Sequence, residues 1–250
     1  MLCYIVLMMK ENFKLGENMF YGIGVGIGNS LTVTKKAIVV IGTLDILYVP
    51  IAKKADDFST AHSIVKDYIN ERTIIKARHF PMNYNSEELQ KSWNEIASEI
   101  IKDVSNGNNV GFITIGDPMV YSTYIYLLRI LKDKIKIATI PGIASFLDIA
   151  SNNNFPLVEG EDPLIILPAT MGTEKLRNYI KNENSIVLMK VYNNFDEVVK
   201  MLLEEGLENH AIVVSNSSKE EEVIYKNIKN IKKSDVSYFT TILINKRWEI

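Results

Sequence analysis

The sequence predicts an α/β protein with two domains. Short apolar runs alternate with segments of helical periodicity along most of the 250 residues, a pattern typical of strands connected by helices. The hydrophobic fraction of 47% is sufficient for more than one core. The pattern breaks over residues 152–163, which are rich in Asn, Pro, Gly and acidic residues, and such a break indicates a domain boundary. We therefore predict an N-terminal α/β domain over residues 19–155 and a C-terminal α/β domain over residues 156–250.

Apolar runs predict the strands of the N-terminal domain at residues 20–25, 45–49, 73–80, 110–115 and 135–140. The clearest helix of the sequence lies between the third and the fourth of these strands. Its apolar side chains share one face at helical spacing, and they are Leu89, Trp93, Ile96, Ala97, Ile100, Ile101 and Val104. Asn85 and Glu88 have the spacing of a capping box at its start, and Gly107 is placed to end it. We interpret the apolar stripe as core packing.

The C-terminal domain shows a different order of elements. Strands are predicted at residues 164–167, 185–191, 211–215, 222–225 and 238–244. Helices are predicted near residues 173–180 and 195–203. Several strands follow one another near the end of the chain without a helix between them, so we predict a mixed sheet with antiparallel pairs.

The first 18 residues lack a pattern that joins them to the first predicted strand, and Met19 would make a natural first residue. We interpret residues 1–18 as an N-terminal extension that arises from an upstream start or an added segment, with a genuine extra element as the alternative. Residues 2–9 are apolar but too short to span a bilayer, and no basic segment precedes them. We therefore expect no membrane association and a cytoplasmic protein.

Charge and cysteine content limit the classes of function. The net charge of −2 and the pI near 6.0 argue against a nucleic-acid partner, because such surfaces normally carry a basic stripe. Cys3 is the only cysteine, so neither an internal disulfide nor a multi-cysteine metal site is expected. His62, His79 and His210 are scattered along the chain, and we predict no metal held by the protein.

The segment GDPMVYST, residues 116–123, is the most informative part of the sequence. It directly follows the apolar run 110–115 and predicts a buried strand that ends in a tight loop and opens a helix, where open α/β sheets bind ligands. Desolvating a carboxylate there is costly, so Asp117 should face a ligand or backbone N–H groups. Ser122 and Thr123 could cap the helix or bind the ligand. An ordinary strand-turn-helix corner is the alternative interpretation.

Gly22, Gly24, Gly26 and Gly28 alternate through the first strand and the loop that follows it. Glycine is costly inside a strand, so such a run indicates close approach of backbone or ligand, with tight packing at the strand end as the alternative. No three of these glycines have the GxGxxG spacing, which disfavours a dinucleotide site of the Rossmann type. A second strand-to-helix corner, residues 141–145, could converge with the first on one crevice.

Five segments, taken together in their order and spacing, resemble the tetrapyrrole methylases: YGIGVGIGNSLTVTKKA, DILYVP, RHFPM, GFITIGDPMVYSTYIYL and IPGIASFLDIAS. The resemblance is closest to the C-20 branch of the family, which methylates precorrin-2 or cobalt-precorrin-2 in cobalamin biosynthesis. Phe80, Pro81 and Met82, the helix that contains Trp93, and residues 116–123 indicate this branch.

The resemblance implies two α/β domains with S-adenosylmethionine bound in a cleft between them, S-adenosylhomocysteine as product, a tetrapyrrole substrate beside the cofactor, and a homodimer. By motif position it also implies cofactor contacts from two strand-exit corners, the first loop and the C-terminal domain. These contacts are assigned to Ile27, Ile115, Gly116, Asp117, Val120, Tyr121, Ser122, Thr123, Ala144, Ser145, Met189, Lys190, Ser217, Thr240 and Thr241, with Asn216 beside Ser217.

The sequence departs from the family pattern at two places. The family's first loop commonly reads GPGDP, whereas residues 26–30 read GIGNS. Pro50 stands where some members carry an acid proposed to accept a proton, and the C-20 branch commonly has proline there. No residue is therefore assigned as the proton acceptor, and Tyr121, Tyr84 and His79 are candidates.

Three functions remain open from the sequence. A C-20 methyltransferase is the first, and a family member that acts on a different ring position or substrate is the second. The third is of another class, a nicotinamide-dependent oxidoreductase or a noncatalytic nucleotide-binding module. Lys53 and Lys54 could pair with substrate carboxylates, or they are ordinary surface lysines.

Overall fold

The computed structural model describes residues 18–51, 59–80 and 86–250, and it leaves the side chains of residues 86–88 undescribed. The chain forms two compact units, the first ending at Ala144 and the second running from Ser145 to Ile250. This division lies before the helix Ser145–Asn152, whereas the sequence-based boundary lies after it. The helix packs against the last strand of the second unit, which accounts for its place there.

The first unit contains a five-stranded parallel sheet in the order β3-β2-β4-β1-β5. Its strands are β1 (Phe20–Gly24), β2 (Ile46–Ile51), β3 (Ile74–His79), β4 (Val110–Thr114) and β5 (Ile137–Ile140). Its helices are α1 (Lys35–Ile41), α2 (Thr60–Val65), α3 (Ser86–Ser105) and α4 (Tyr124–Leu131). The five predicted strands are confirmed. The inner strands β1 and β4 are buried along their whole length, as expected of a parallel sheet covered on both faces, whereas the edge strand β3 is partly exposed.

Helices cover the two faces of this sheet in pairs. On one face, α1 and α2 pack against Ile23, Leu47 and Ile113. On the other face, α3 and α4 pack against Phe20 and Phe112. The chain thus leaves β1 towards one face of the sheet and leaves the neighbouring β4 towards the other. This arrangement places the topological switch point between β1 and β4.

The predicted long helix is α3. Ile96, Ile100 and Val104 are buried in the core as the periodicity predicts. Gly107 follows its end with φ of 91°, a left-handed value that glycine adopts at low cost. The predicted capping box rests on Asn85, which lies outside the described residues.

The second unit contains a mixed sheet in the order β6-β7-β10-β8-β9. Its strands are β6 (Leu164–Pro168), β7 (Ser185–Met189), β8 (Ala211–Ser215), β9 (Val223–Tyr225) and β10 (Thr240–Asn245). Its helices are α5 (Ser145–Asn152), α6 (Thr173–Asn182) and α7 (Phe195–Glu204). Strand β6 runs parallel to β7, β10 runs antiparallel to β7 and β8, and β9 runs antiparallel to β8. The prediction of a mixed sheet is confirmed.

The core of the second unit lies mainly between this sheet and helices α6 and α7. Leu176, Ile180, Phe195 and Leu202 from the two helices are fully or almost fully buried against the strands. Burying each such side chain contributes about 1.5–3 kcal/mol relative to leaving it exposed. The central strand β10 is buried along its whole length.

Candidate functional site

The candidate site of the first unit lies at the carboxyl edge of its sheet, next to the switch point. Three segments meet there: the loop after β1, the 116–123 corner after β4 and the 141–144 corner after β5. The backbone N–H of Gly116 donates to the carbonyl of Gly26 at 2.8 Å, and these two residues form an antiparallel bridge beyond the parallel strands. The two predicted corners also meet within this unit, because the Gly142 N–H donates to the Asp117 carboxylate at 3.1 Å.

Glycines allow the three segments to approach each other by their backbones. A Cβ atom on Gly142 would lie 2.2 Å from the carbonyl oxygen of Gly116, and one on Gly24 would lie 2.6 Å from the Gly142 nitrogen. The space beside Gly116 is different, because the nearest atom to a Cβ there is the Ile143 oxygen at 4.0 Å. The backbones are thus in closest contact at Gly24 and Gly142, whereas Gly116 is buried with a left-handed φ of 70° and its Cβ position makes only an ordinary contact.

Asp117 joins the two corners. One carboxylate oxygen accepts the N–H of Met119 at 2.9 Å, and the other accepts the N–H of Gly142 at 3.1 Å. The carboxylate therefore meets backbone donors, one of the two possibilities that its position predicts. The bond to Gly142 links residues that are 25 positions apart in the sequence, and it sets the distance between the two corners.

A side chain that the sequence interpretation missed, Thr32, holds the first loop. Its buried hydroxyl accepts the N–H of Ile27 at 2.9 Å and lies 2.8 Å from the Ile27 carbonyl oxygen. The side chain of Asn29 accepts the N–H of Leu31 at 2.8 Å and caps the short 3₁₀ turn Ser30–Thr32. The loop has a defined shape although it lacks the prolines of the family pattern.

Large apolar side chains remain exposed around these segments. Leu31 is 91% exposed, Met119 54%, Tyr121 39% and Ile143 37%. Tyr121 also has φ of 50°, a left-handed value that is uncommon for a non-glycine residue and clusters at functional sites. Partial burial of the side chain raises the pKa of the Tyr121 hydroxyl above its usual value.

The other predicted cofactor residues of the first unit differ in burial and in hydrogen bonding. The Ser122 hydroxyl is buried, lies 3.0 Å from the Thr114 hydroxyl and accepts the N–H of Tyr124 at 3.2 Å, so it opens helix α4. Thr123 occupies the N-cap position without a side-chain cap bond. Ile27 and Ala144 are buried, whereas Ile115 and Val120 are partly buried.

The predicted residues of the second unit gather at one edge of its sheet. Strands β7 and β8 run in the same direction because both are antiparallel to β10. Their carboxyl ends therefore share an edge with the start of β10, and Thr240 pairs with Ser215. Met189, Lys190, Ser217, Thr240 and Thr241 all lie at or next to this edge.

Their side chains differ in accessibility. Thr240 and Thr241 are buried, and the Thr240 hydroxyl lies 2.7 Å from that of Ser215. Lys190 is exposed and has φ of 58°. Ser145 is the first residue of α5, the helix that is packed against β10.

Some predicted residues lie elsewhere or outside the description. His79 ends β3, which is three strands away from β1 in the sheet order, or about 14 Å at the usual strand spacing. Tyr84, Lys53 and Lys54 lie outside the described residues. Gly22 has a packing role, because a Cβ there would lie 2.0 Å from the Tyr124 ring.

Among residues 18–51, 59–80 and 86–250, no group of three or more His, Cys, Asp or Glu side chains is arranged to hold a metal ion. Within the same ranges, no helix is both long and apolar enough to cross a membrane.

Comparison with known proteins places the chain in a family. The sequence description of the Tetrapyrrole (Corrin/Porphyrin) Methylases matches residues 19–231. The chain belongs to the tetrapyrrole methylase family. Among curated members, it is 35% identical to the cobalt-precorrin-2 C(20)-methyltransferase of Salmonella typhimurium, over 92% of this chain and 97% of that protein. It is 32% identical to a probable cobalt-precorrin-2 C(20)-methyltransferase of Methanocaldococcus jannaschii, over 92% and 96% respectively.

Solved structures of tetrapyrrole methylases share the fold. A cobalt precorrin-4 methyltransferase aligns with a TM-score of 0.69 at 17% identity, over 91% of this chain and 95% of that one. A uroporphyrin-III C-methyl transferase from Thermus thermophilus, complexed with S-adenyl homocysteine, aligns with a TM-score of 0.62 at 16% identity, over 90% and 96%. The predicted two-sheet α/β fold and the predicted family are both confirmed.

Proposed function

We propose that this tetrapyrrole methylase transfers a methyl group from S-adenosylmethionine to C-20 of cobalt-precorrin-2 in cobalamin biosynthesis. The observation that carries the proposal is the nearly full-length match to two proteins named for that reaction, at 35% and 32% identity. Both names specify the cobalt-bearing substrate, which supports that form over metal-free precorrin-2.

The corner of the first unit fits the proposed cofactor. Adenosine presents apolar ring faces together with polar ring edges and ribose hydroxyls, and sites for such ligands combine apolar side chains with backbone groups. Exposed Met119, Tyr121 and Ile143 supply apolar surface at this corner. When bound, S-adenosylmethionine supplies a methyl group already activated on a sulfonium sulfur.

The residues of the chain then have binding and orienting roles. Asp117 holds the two corners at a set separation through Met119 and Gly142. Thr32 holds the first loop through Ile27. Alignment of reacting groups can lower a barrier by about 7–11 kcal/mol in favourable systems, so a rigid corner is sufficient to make a large contribution.

The Tyr121 hydroxyl is protonated near pH 7, as an ordinary tyrosine is, and partial burial shifts its pKa further in the same direction. A phenol that is neutral near pH 7 donates a hydrogen bond readily and accepts a proton poorly. We therefore propose that Tyr121 contacts bound ligand as a donor and an apolar surface, and does not remove the proton that leaves the methylated carbon. Tyr121→Phe should then weaken ligand binding without changing the pH profile of kcat.

The direct test is a methyl-transfer assay with the purified protein. Cobalt-precorrin-2 and metal-free precorrin-2 are each supplied with methyl-labelled S-adenosylmethionine, and the labelled position is identified by NMR. We expect one label at C-20 and faster turnover of the cobalt form. Label at another ring position would contradict the proposed substrate site, and it would favour the second alternative, a methylase of different position.

A binding measurement separates the methyltransferase from a nicotinamide enzyme. A ligand that binds only the folded state raises the unfolding temperature, and the effect grows with the ratio of the ligand concentration to its Kd. S-adenosylhomocysteine should raise the unfolding temperature of this protein, whereas NAD at the same concentration should not. The opposite result would support the oxidoreductase alternative.

A further inference from the structure

The second unit contains an unusual loop at the edge where its predicted cofactor residues gather. Residues 216–218 follow β8, and both Asn216 and Ser218 have left-handed backbone conformations, with φ of 54° and 60°. Lys190 at the end of β7 has the same kind of conformation. Non-glycine residues in this region cost about 1–3 kcal/mol each and persist only where their surroundings hold them in place. The loop is therefore maintained by specific contacts.

Asp148 of α5 provides one set of those contacts. Its Oδ2 atom accepts the hydroxyl of Ser218 at 2.8 Å and that of Ser217 at 3.2 Å. The same oxygen accepts the side-chain N–H of Asn152 at 2.9 Å, one turn further along the helix. Two consecutive serines thus share one carboxylate oxygen that lies 69 and 70 residues away in the sequence.

The rest of the loop is tied independently of Asp148. The side chain of Asn216 accepts the Ser237 hydroxyl at 2.8 Å and donates to the Glu221 carbonyl at 3.3 Å. The N–H of Ser218 donates to the Glu222 carboxylate at 2.6 Å. These contacts hold the backbone, whereas the carboxylate of Asp148 orients the two hydroxyls.

We propose that Asp148 is a positioning residue that orients Ser217 and Ser218 for binding of the cofactor. The inference rests on the proposed function, because it assumes that this loop contacts S-adenosylmethionine. A hydrogen bond between a hydroxyl and a carboxylate is stronger than one between neutral groups, so it restricts the hydroxyl to one direction. A hydroxyl whose direction is already fixed loses less rotational freedom when the ligand binds. This preorganisation increases the affinity for the ligand.

The proposed role of residue 148 requires an acceptor oxygen more than it requires a negative charge. Asparagine carries a carbonyl oxygen that can accept the same hydroxyls, although it lacks the charge. Asp148→Asn should therefore bind S-adenosylhomocysteine within about twofold of the native chain. Asp148→Ala should bind it about tenfold more weakly, because both hydroxyls are then free to rotate.

The experiment measures affinity for S-adenosylhomocysteine by calorimetry and the KM and kcat of methyl transfer. Asp148→Ala should raise Kd and the KM for the cofactor with kcat almost unchanged. A combined Ser217→Ala and Ser218→Ala variant should show at least as large a loss, because it removes the hydroxyls themselves. Adding Asp148→Ala to that double variant should produce little further change, because residues that act through one contact are not additive.

Asn152→Ala is the matched control. It removes the third donor to the same oxygen and leaves both serines bonded to Asp148, so affinity should stay at the native value. If Asp148→Ala does not fold, the serine variants test the same contacts without changing the helix.

The outcomes separate this inference from the proposed function. If the native chain does not bind S-adenosylhomocysteine, the proposed cofactor is wrong, and the inference is wrong with it. If the native chain binds and the folded alanine variants bind equally tightly, the positioning role alone is wrong. An equal loss in Asp148→Asn and Asp148→Ala would also overturn the role, because it would assign the effect to charge.

Discussion

The carboxylate of Asp117 accepts the backbone N–H of Gly142 at 3.1 Å and thereby joins two corners that are 25 residues apart in the sequence. The other carboxylate oxygen accepts the N–H of Met119 within its own corner. One side chain thus sets both the shape of the loop after β4 and its distance from the loop after β5. The residue is a structural clamp at the edge of the sheet where we propose that the cofactor binds.

Replacing Asp117 by alanine should separate the two corners. We expect affinity for S-adenosylhomocysteine to fall about 10- to 100-fold, the equivalent of losing the roughly 1.5–3 kcal/mol of a hydrogen bond to a charged group. Unfolding stability should fall by about 1.5–3 kcal/mol, the usual contribution of hydrogen bonds to a charged group. Calorimetry and urea unfolding provide the two values. Asp133→Ala, at an exposed position after α4, is the control and should change neither. Native affinity in folded Asp117→Ala would contradict the clamp.

Gly142 should not tolerate a side chain. Its Cβ would lie 2.2 Å from the Gly116 oxygen and 2.8 Å from the Gly24 carbonyl carbon, both backbone atoms that cannot rotate away. Gly142→Ala should therefore lower the unfolding free energy by about 1–3 kcal/mol or more and weaken cofactor binding.

Gly42 is the matched control for that substitution. It has φ of −66°, and the nearest atom to its Cβ position is 3.5 Å away. Gly42→Ala should leave stability equal or slightly higher, since alanine restricts the unfolded chain more than glycine does. Equal effects of the two substitutions in chemical unfolding would show that the corners are not closely packed.

Thr32 should control the first loop through its hydroxyl. Thr32→Val keeps the shape of the side chain but leaves the N–H of Ile27 without its acceptor, which should cost about 1–3 kcal/mol of stability. Thr32→Ser retains the hydroxyl and should restore most of that loss. If the loop also contacts the tetrapyrrole, Thr32→Val should raise the KM for cobalt-precorrin-2 more than the KM for S-adenosylmethionine. Identical stability of the valine and serine variants would exclude the hydroxyl as the anchor.

The sequence could predict strands and corners because both depend on local patterns. Buried parallel strands are continuous apolar runs, and Gly, Asp and Pro after such a run indicate a loop. The predicted start of β5 was wrong by two residues for a local reason. The strand begins at Ile137 rather than residue 135, because the N–H of Ile135 still bonds to Leu131 at the end of α4. The role of Thr32 was also within reach, since it contacts a residue only five positions away.

Contacts between distant segments could not be predicted in this way. Nothing in the segment around Asp148 indicates that it meets two serines about 70 residues later. The sequence left two partners possible for Asp117, a ligand or backbone N–H groups, and only the packing of Gly142 against Gly116 explains why the backbone is the partner. The partners of such side chains depend on how the strands and helices assemble. Apolar periodicity contains no information about that assembly.

Tyr48 provides a test of the core at alkaline pH. It is fully buried on β2, and its hydroxyl donates to Asp103 at 2.6 Å, while Lys76 also bonds to that carboxylate. Burial, with the bond to Asp103 second, raises the pKa of Tyr48 well above its usual value of 10.0. A raised pKa in the folded state stabilises the protein below pH 10 and loses that contribution as pH rises further, because the unfolded tyrosine releases its proton while the folded one retains it.

Tyr48→Phe removes both the hydrogen bond and this titration. At pH 7 to 9 the variant should be less stable than the native chain by about 1.5–3 kcal/mol, and the difference should be constant. Above pH 10 the difference should shrink by about 1.4 kcal/mol per pH unit, because only the native chain has this phenol to ionise on unfolding. Urea unfolding of both chains at half-unit steps from pH 8 to 11.5 measures the difference directly. Tyrosines and lysines that do not contact Tyr48 titrate alike in both chains and cancel from the difference. A difference that stays constant through pH 11 would mean that the Tyr48 hydroxyl ionises as readily in the fold as in the unfolded chain.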